Sequence, residues 1–184
     1  MRRQLRPFYT PEQLEQVYAH PYDHSRWREH RARIALTVAL AQSMVDEYGL
    51  ASAADLSCGD GAILDRLDVA EKVYGDFVPG RAHAGPIERA VTEIARVGLF
   101  ILSETIEHVE DPDALLAAIR AKADALVLTT PNAEDNDGNP EHYWSWDDAE
   151  MRRMLATAGW APTLYLAFDP HVAPGYTFQF WGCR

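Results

Sequence analysis

The segment from Ala54 to Leu64, Ala-Asp-Leu-Ser-Cys-Gly-Asp-Gly-Ala-Ile-Leu, limits the possible folds of this chain more than any other stretch. An apolar run enters a Gly-x-Gly turn and leaves it in a short helical pattern, which is how a strand, a tight loop and a helix start read in sequence. Gly59 and Gly61 suit a turn whose backbone a side chain would resist and which a nucleotide must approach closely. One strand later, Val73-Tyr-Gly-Asp76 ends in an acid. In a doubly wound sheet the second strand stops beside the first loop, so Asp76 falls where a carboxylate can accept both hydroxyls of a ribose. Such charge-assisted bonds are worth roughly 1.5 to 3 kcal/mol each.

The rest of the chain supplies the strands and helices that such a loop needs. Ala53 to Ser57, Lys72 to Phe77, Val97 to Ser103 and Ala125 to Thr130 are short apolar runs of the kind that form buried parallel strands. Trp27, Ile34, Val38, Ala41 and Val45 fall on one helical stripe, which predicts an amphipathic helix from His24 to Tyr48 that stops at Gly49. Pro112 to Lys122 and Asp147 to Ala158 read as further helices, the second opened by Asp147 with Glu150 three residues on and closed by Gly159. Thr163 to Phe168 and Tyr176 to Gly182 alternate as an antiparallel hairpin at a sheet edge would. Strands alternating with helices predict an α/β fold: a Rossmann-like, doubly wound, mostly parallel seven-stranded sheet with an antiparallel C-terminal edge. Residues 1–50 read as an N-terminal helical arm or lid and residues 51–184 as the binding domain, the whole forming one compact unit.

Composition narrows the function classes. With 184 residues, 47% hydrophobic and 24% charged, the chain can bury a core without disulfides or structural metal. Its two cysteines, Cys58 and Cys183, have no zinc-site spacing and fit a reducing cytoplasm. No stretch approaches the ~20 apolar residues of a membrane span, so no membrane partner is expected. A net charge of -11 makes nucleic acid an improbable partner. The exception is a basic run, Arg26, Arg28, Arg31 and Arg33, joined by Arg2, Arg3 and Arg6; its ordinary reading is a solvated helix face.

A glycine loop with a downstream acid suits either a nicotinamide dinucleotide or S-adenosylmethionine. Two details favour the methyl donor. Leu64 stands where the third glycine of Gly-x-Gly-x-x-Gly would pack around a pyrophosphate. Asp55, at the strand end, can meet the amino group of a methionine moiety and would repel a pyrophosphate.

This stretch resembles motif I of the class I S-adenosylmethionine-dependent methyltransferases, small members of the type 11 or 12 kind. Leu99-Phe-Ile-Leu-Ser-Glu-Thr-Ile-Glu-His-Val-Glu-Asp-Pro112 is similar to that family's fourth-strand motif, and Val127-Leu-Thr-Thr-Pro-Asn132 to its fifth strand. His142-Tyr-Trp-Ser-Trp146, then Ala158-Gly-Trp160, resembles the closing helix. The resemblance implies S-adenosylmethionine as cofactor, held by Asp55, Ser57, Cys58, Gly59, Gly61, Asp76, Phe77, Ile87, Ser103 and Glu104, with Tyr22 from the arm closing over the methionine end. Two departures stand out. Ser57 replaces the usual first glycine, which is tolerable in an ordinary backbone conformation. The chain between Asp76 and Val97 is short, so the helix after the second strand is expected to be cut down or lost, leaving Phe77 and Gly85-Pro-Ile-Glu88 as adenine walls.

Methyl transfer is an in-line displacement at an activated carbon, so orientation supplies much of the rate. His108 and His142, both after strand ends, are the candidate general bases, and the expected acceptor is an O or N atom of a small molecule. Tyr143, Trp144 and Trp146 read as core ahead of pocket, Cys58 as packed ahead of nucleophilic, and Trp27 as packed along its stripe. Glu104, Glu107, His108 and His142 also resemble the metal set of Hen1-type RNA 2'-O-methyltransferases, although no metal is expected in the favoured reading. An NAD-dependent oxidoreductase and a non-catalytic cofactor-binding relative stand as further alternatives.

Overall fold

The computed structural model describes residues 1–19, 27–132, 138–171 and 177–184. In chain order the elements are β1 (Arg3–Gln4), α1 (Pro11–Tyr18), α2 (Arg28–Tyr48), β2 (Ser52–Asp55), β3 (Glu71–Asp76), β4 (His83–Ala84), α3 (Ile87–Glu93), β5 (Val97–Ser103), α4 (Pro112–Lys122), β6 (Ala123–Asn132), β7 (Trp144–Ser145), α5 (Asp148–Thr157), β8 (Pro162–Phe168) and β9 (Thr177–Cys183). Single 3-10 turns occupy Leu64–Arg66 and Ile106–His108.

The main sheet has seven strands in the order β4-β3-β2-β5-β6-β9-β8. The first five are parallel, and β9 runs antiparallel to both β6 and β8. The expected architecture is therefore the one observed, with a refinement at the end of the chain. The final strand is inserted between β6 and β8, which leaves β8 at the edge. Strand order reverses between β2 and β5, and the crevice at their C-terminal ends is where open α/β sheets bind ligands.

Parity along the strands splits the core in two. Ala53, Leu99, Ile101, Ala125 and Val127 face Ile34, Ala41, Met44 and Val45 of α2. Ala54, Phe100, Leu102, Leu126 and Leu128 face α3, α4 and α5 through Val91, Leu115, Leu116, Ile119, Met151 and Leu155. Each large side chain buried this way contributes roughly 1.5 to 3 kcal/mol. The helix ends follow their local chemistry. Gly49 closes α2 at φ +61, Asp111 caps α4 through the Ala114 N–H, and Asp147 caps α5 through the Glu150 N–H.

Three local expectations need correction. Trp27 is 48% exposed, because it precedes the first turn of α2 in an extended conformation and so leaves the helical stripe. The short helix after the glycine loop is a single 3-10 turn. Arg33, read as part of a solvated run, is only 3% exposed. As expected, the segment after β3 is cut down: six residues, with no helix, connect it to the two-residue β4.

Candidate active site

β2 ends at Asp55, and the chain turns through Ser57, Cys58, Gly59 and Gly61 beside the end of β3. Gly59 has φ +53 and Gly61 φ +90, the left-handed conformations for which glycine is suited. Ser57 has an ordinary negative φ, as its replacement of a glycine requires. The Asp76 carboxylate accepts the Gly59 N–H at 2.7 Å and the Val78 N–H at 3.1 Å, which brings the end of β3 against the loop. Backbone pairing supports this, since the Cys58 N–H donates to the Gly75 carbonyl at 3.0 Å. Burial pushes the Cys58 thiol up to about 12, and the nearby Asp55 adds to the rise, so Cys58 is a packed thiol and not a thiolate nucleophile. Arg81 donates to the Gly59 carbonyl at 2.6 Å and lies over the Tyr74 ring.

Asp55 is 3% exposed and accepts the Ser57 N–H at 3.1 Å. Burial raises its carboxyl to about 7; the Ser57 N–H pulls against that rise and Asp76 adds to it. Across the switch point, β5 ends at Ser103, and Glu104 follows at φ 51, a backbone conformation that costs energy in a residue with a side chain. The Glu104 N–H donates to the Thr129 carbonyl, and the Thr129 hydroxyl donates to Glu104 Oε1 at 3.0 Å. The Ser57 and Thr105 hydroxyls meet at 2.7 Å and tie the two sides of the crevice together.

The 3-10 turn after β5 brings Glu107 and His108 together with His142. Glu107 is 1% exposed, and its Oε2 accepts the Thr130 hydroxyl at 3.0 Å. Its Oε1 is buried without a hydrogen bond and lies 4.0 Å from His108 Nε2. Burial, then the neighbouring Glu104, raise the Glu107 carboxyl above the usual range. His108 Nδ1 lies 3.0 Å from the Glu141 carbonyl, and His142 Nε2 lies 3.0 Å from Asn139 Nδ2. The two imidazoles meet edge to face with centroids 4.7 Å apart. Ligand atoms of Glu107, His108 and His142 all fall within 4.8 Å of one another.

The N-terminal arm reaches this region. β1 pairs with β7, Arg6 donates to the His142 carbonyl at 2.7 Å, and Phe8 and Tyr9 pack on Tyr143. At the far end of α1, the Tyr18 ring rests on Phe77, with centroids 4.9 Å apart. Burial raises the Tyr18 hydroxyl, and Glu141, Tyr143, Glu107 and Asp76 add to the rise, so this ring sits among the acids of the crevice.

Most of the residues singled out in sequence thus converge: Asp55, Ser57, Cys58, Gly59, Gly61 and Asp76 on one side, Ser103, Glu104, His108 and His142 on the other. Phe77 faces the arm. Ile87 opens α3, 7% exposed and packed in the core cluster. Tyr22 lies outside the described residues. Tyr143 and Trp146 are buried, as expected of core aromatics. Sequence reasoning missed Tyr18 and Arg33. The second left a signal, because Arg33, Thr37 and Ala41 are four apart and all buried.

No family model matches the chain, and no curated protein matches it in sequence. Solved structures do match. The 1,6-didemethyltoxoflavin-N1-methyltransferase of Burkholderia thailandensis, with 1,6-didemethyltoxoflavin and S-adenosylhomocysteine bound, superposes with a TM-score of 0.65 at 17% identity, covering 97% of this chain and 92% of that one. Magnesium protoporphyrin IX methyltransferase from Synechocystis, with S-adenosylmethionine bound, gives 0.63 at 13% identity over 94% and 90% of the two chains. An S-adenosylmethionine-dependent methyltransferase from Clostridium acetobutylicum gives 0.60 at 8% identity over 94% and 96%. The fold is that of the S-adenosylmethionine-dependent methyltransferases. Among the described residues no helix is long and apolar enough to cross a membrane.

Proposed function

We propose that this chain binds S-adenosylmethionine in the crevice between β2 and β5 and transfers its methyl group to an O or N atom of a small-molecule acceptor. One observation carries the reading: the left-handed Gly59–Gly61 turn stands at the switch point with the Asp76 carboxylate held against it. The fold likeness supports it, since the neighbours from Burkholderia thailandensis and Synechocystis hold S-adenosylhomocysteine or S-adenosylmethionine. In this reading Asp76 takes the ribose hydroxyls, Asp55 faces the methionine amino group, and the turn lies along the backbone of the cofactor. Phe77 and the start of α3 at Ile87 wall the adenine, and α1 covers the mouth of the crevice. His108 or His142 accepts the proton that the acceptor loses.

Calorimetric titration with S-adenosylmethionine, S-adenosylhomocysteine and NAD tests the cofactor. Binding of the first two without NAD is expected. Binding of NAD alone, or of none of the three, would overturn the reading.

A second reading is favoured by Glu107, whose buried Oε1 lacks a hydrogen bond beside two imidazoles. The residues fit a divalent cation: Glu107, His108 and His142 offer one carboxylate and two nitrogens, and Glu104 lies one turn away. His108 is suited to such a role, because donating its Nδ1–H to the Glu141 carbonyl leaves the Nε2 lone pair facing Glu107. A bound cation would supply Lewis-acid polarisation of an acceptor hydroxyl, the chemistry of an RNA 2'-O-methyltransferase of Hen1 type. Metal analysis of the purified protein decides between the readings. Stoichiometric Mg, Mn or Co lost in Glu107→Ala would establish the metal; a metal-free, active wild type would remove it.

A further inference from the structure

The edge strand β8 lacks most of the devices that ordinarily protect the edge of a sheet. It is seven residues long, Pro-Thr-Leu-Tyr-Leu-Ala-Phe, and carries no charged side chain. Among the described residues nothing pairs with its outer side, whereas the opposite edge of the sheet is the two-residue β4. Exposed edges are usually blunted by charges, proline, bulges or shortness, because their free N–H and C=O groups template pairing with another chain. Pro162 and the register shift between it and Leu164 blunt only the first residues of β8. Among the described residues, three of the six exposed large hydrophobic side chains are consecutive on this strand: Leu164, Tyr165 and Leu166, at 44, 40 and 45% exposure. A contiguous apolar patch of this kind marks a contact surface more often than a scattered exposed residue does.

Both faces of the strand contribute to the patch. On one, the Tyr165 ring lies 4.4 Å from that of Trp181, over which the Arg152 guanidinium of α5 is placed. The charged groups that act on Tyr165 are Asp148 and Arg152, one of each sign, so this face carries no excess of the acids that give the chain its net charge of -11. On the other face Leu164 lies beside Met44, Glu47 and Tyr48 of α2, where a cleft of about 170 Å³ opens. Side chains alternate along a strand, so Leu166 shares the face of Leu164. β8 is roughly 24 Å long and the edge of a helix–sheet–helix stack is roughly 30 Å deep, so the strip offers roughly 700 Å² per copy, close to the roughly 800 Å² that each partner gives to a standard stable interface.

We propose that β8 is a dimer interface, on which a second copy of this chain pairs antiparallel about a two-fold axis at Tyr165 and joins the two main sheets into one. A two-fold contact requires a strand that complements itself. Leu164-Tyr165-Leu166 reads the same in both directions, so Leu164 of each copy stands opposite Leu166 of the other and Tyr165 stands opposite itself. Leu166 of one copy then reaches the mouth of the cleft beside Leu164 of the other, twice by symmetry. Pairing consumes the long edge of each sheet and leaves only β4, so the assembly closes at two copies. The interface goes beyond the proposed methyl transfer and is independent of the cofactor.

Sedimentation velocity over a range of concentrations tests this on the full chain. Wild type is expected to form a dimer with a Kd of about 1 μM or tighter, the weak end for an interface of this size. Tyr165→Lys sets two ammonium groups against each other on the axis and should raise that Kd at least about 100-fold, with Leu166→Lys acting in the same direction. Tyr165→Cys should cross-link two copies on mild oxidation, because only a residue on the axis meets itself and both native cysteines, Cys58 and Cys183, are buried. A wild type that stays monomeric at about 100 μM would overturn the proposal without any variant having to fold, and would leave the edge to a different protein or to none. A dimer retained in both lysine variants would place the interface elsewhere and overturn it as well. Open-ended oligomers in place of a closed dimer, or a Tyr165→Cys chain that does not cross-link, would refute the two-fold register.

Discussion

Two arginines at opposite ends of the same sheet have opposite surroundings. Arg96, just before β5, is half exposed, yet its guanidinium is saturated: it pairs with Asp124 at 2.7 Å and donates to the carbonyls of Ala121 and Ala123 at 3.0 and 3.1 Å. Arg33, at the far end of β5, is buried, and among the described residues its guanidinium makes one hydrogen bond, to Ser103. The contrast extends to the acids. Asp124 is exposed and paired, whereas Asp55 and Glu107 are buried and Glu104 is half-buried beside Glu107, all three with carboxyl pKa values raised by burial. The N-terminal end of the sheet is organised for stability. The C-terminal end keeps unsatisfied charge and strained backbone, which folding alone would not favour and which ligand binding can use.

The largest effect expected from this contrast is on the pH dependence of stability. Asp55 titrates near 3.8 when unfolded and about 7 when folded, so the native state binds the extra proton in that window. Its contribution is therefore full below about pH 4 and is lost as pH rises to about 7. Asp55→Asn keeps the acceptor for the Ser57 N–H and removes the ionisation. Urea denaturation at pH 8 should find the variant more stable by on the order of 3 kcal/mol, with little difference at pH 4. A variant less stable than wild type at pH 8 would mean that Asp55 is not strained by burial.

Asp76→Ala comes next. It should weaken S-adenosylmethionine and S-adenosylhomocysteine about 100-fold in calorimetry, the loss of two bonds to a charged acceptor, and it should lower the stability without ligand by about 1 to 3 kcal/mol, because the Gly59 and Val78 N–H groups lose their acceptor. Unchanged affinity would place the ribose elsewhere. The smallest effect belongs to the opposite end. Arg96→Ala should cost about 1 kcal/mol in denaturant unfolding and leave cofactor affinity unaltered, since exposed ion pairs contribute little and this one lies far from the crevice. A change in affinity there would break the division between the two ends.

Much of this was legible in the residues. The glycine loop, the acid one strand later and the helix caps at Asp147 and Gly49 are local signals, and each acts within a few residues. The shortened stretch after Asp76 was legible as well, because the twenty residues before Val97 leave room only for a two-residue strand and a seven-residue helix. Arg33 was misread because a charged residue in a basic run is judged by its neighbours in sequence, while its environment is set by α2 lying across β5 and β6. Tyr18 was overlooked because nothing local says that this ring of the arm reaches Phe77; the pairing of β1 with β7 and the length of α1 decide that.

By itself, then, the sequence determined the alternating strand and helix pattern, the left-handed turn and the acid beside it, since period, glycine content and capping chemistry are properties of short segments. Only the tertiary structure decided which charges share one crevice. Glu107, His108 and His142 meet across more than thirty residues of chain, and Arg33 meets Ser103 across seventy. Electrostatic energy depends on distance in space and on exclusion from water, and both arise only once the sheet has brought its strand ends together.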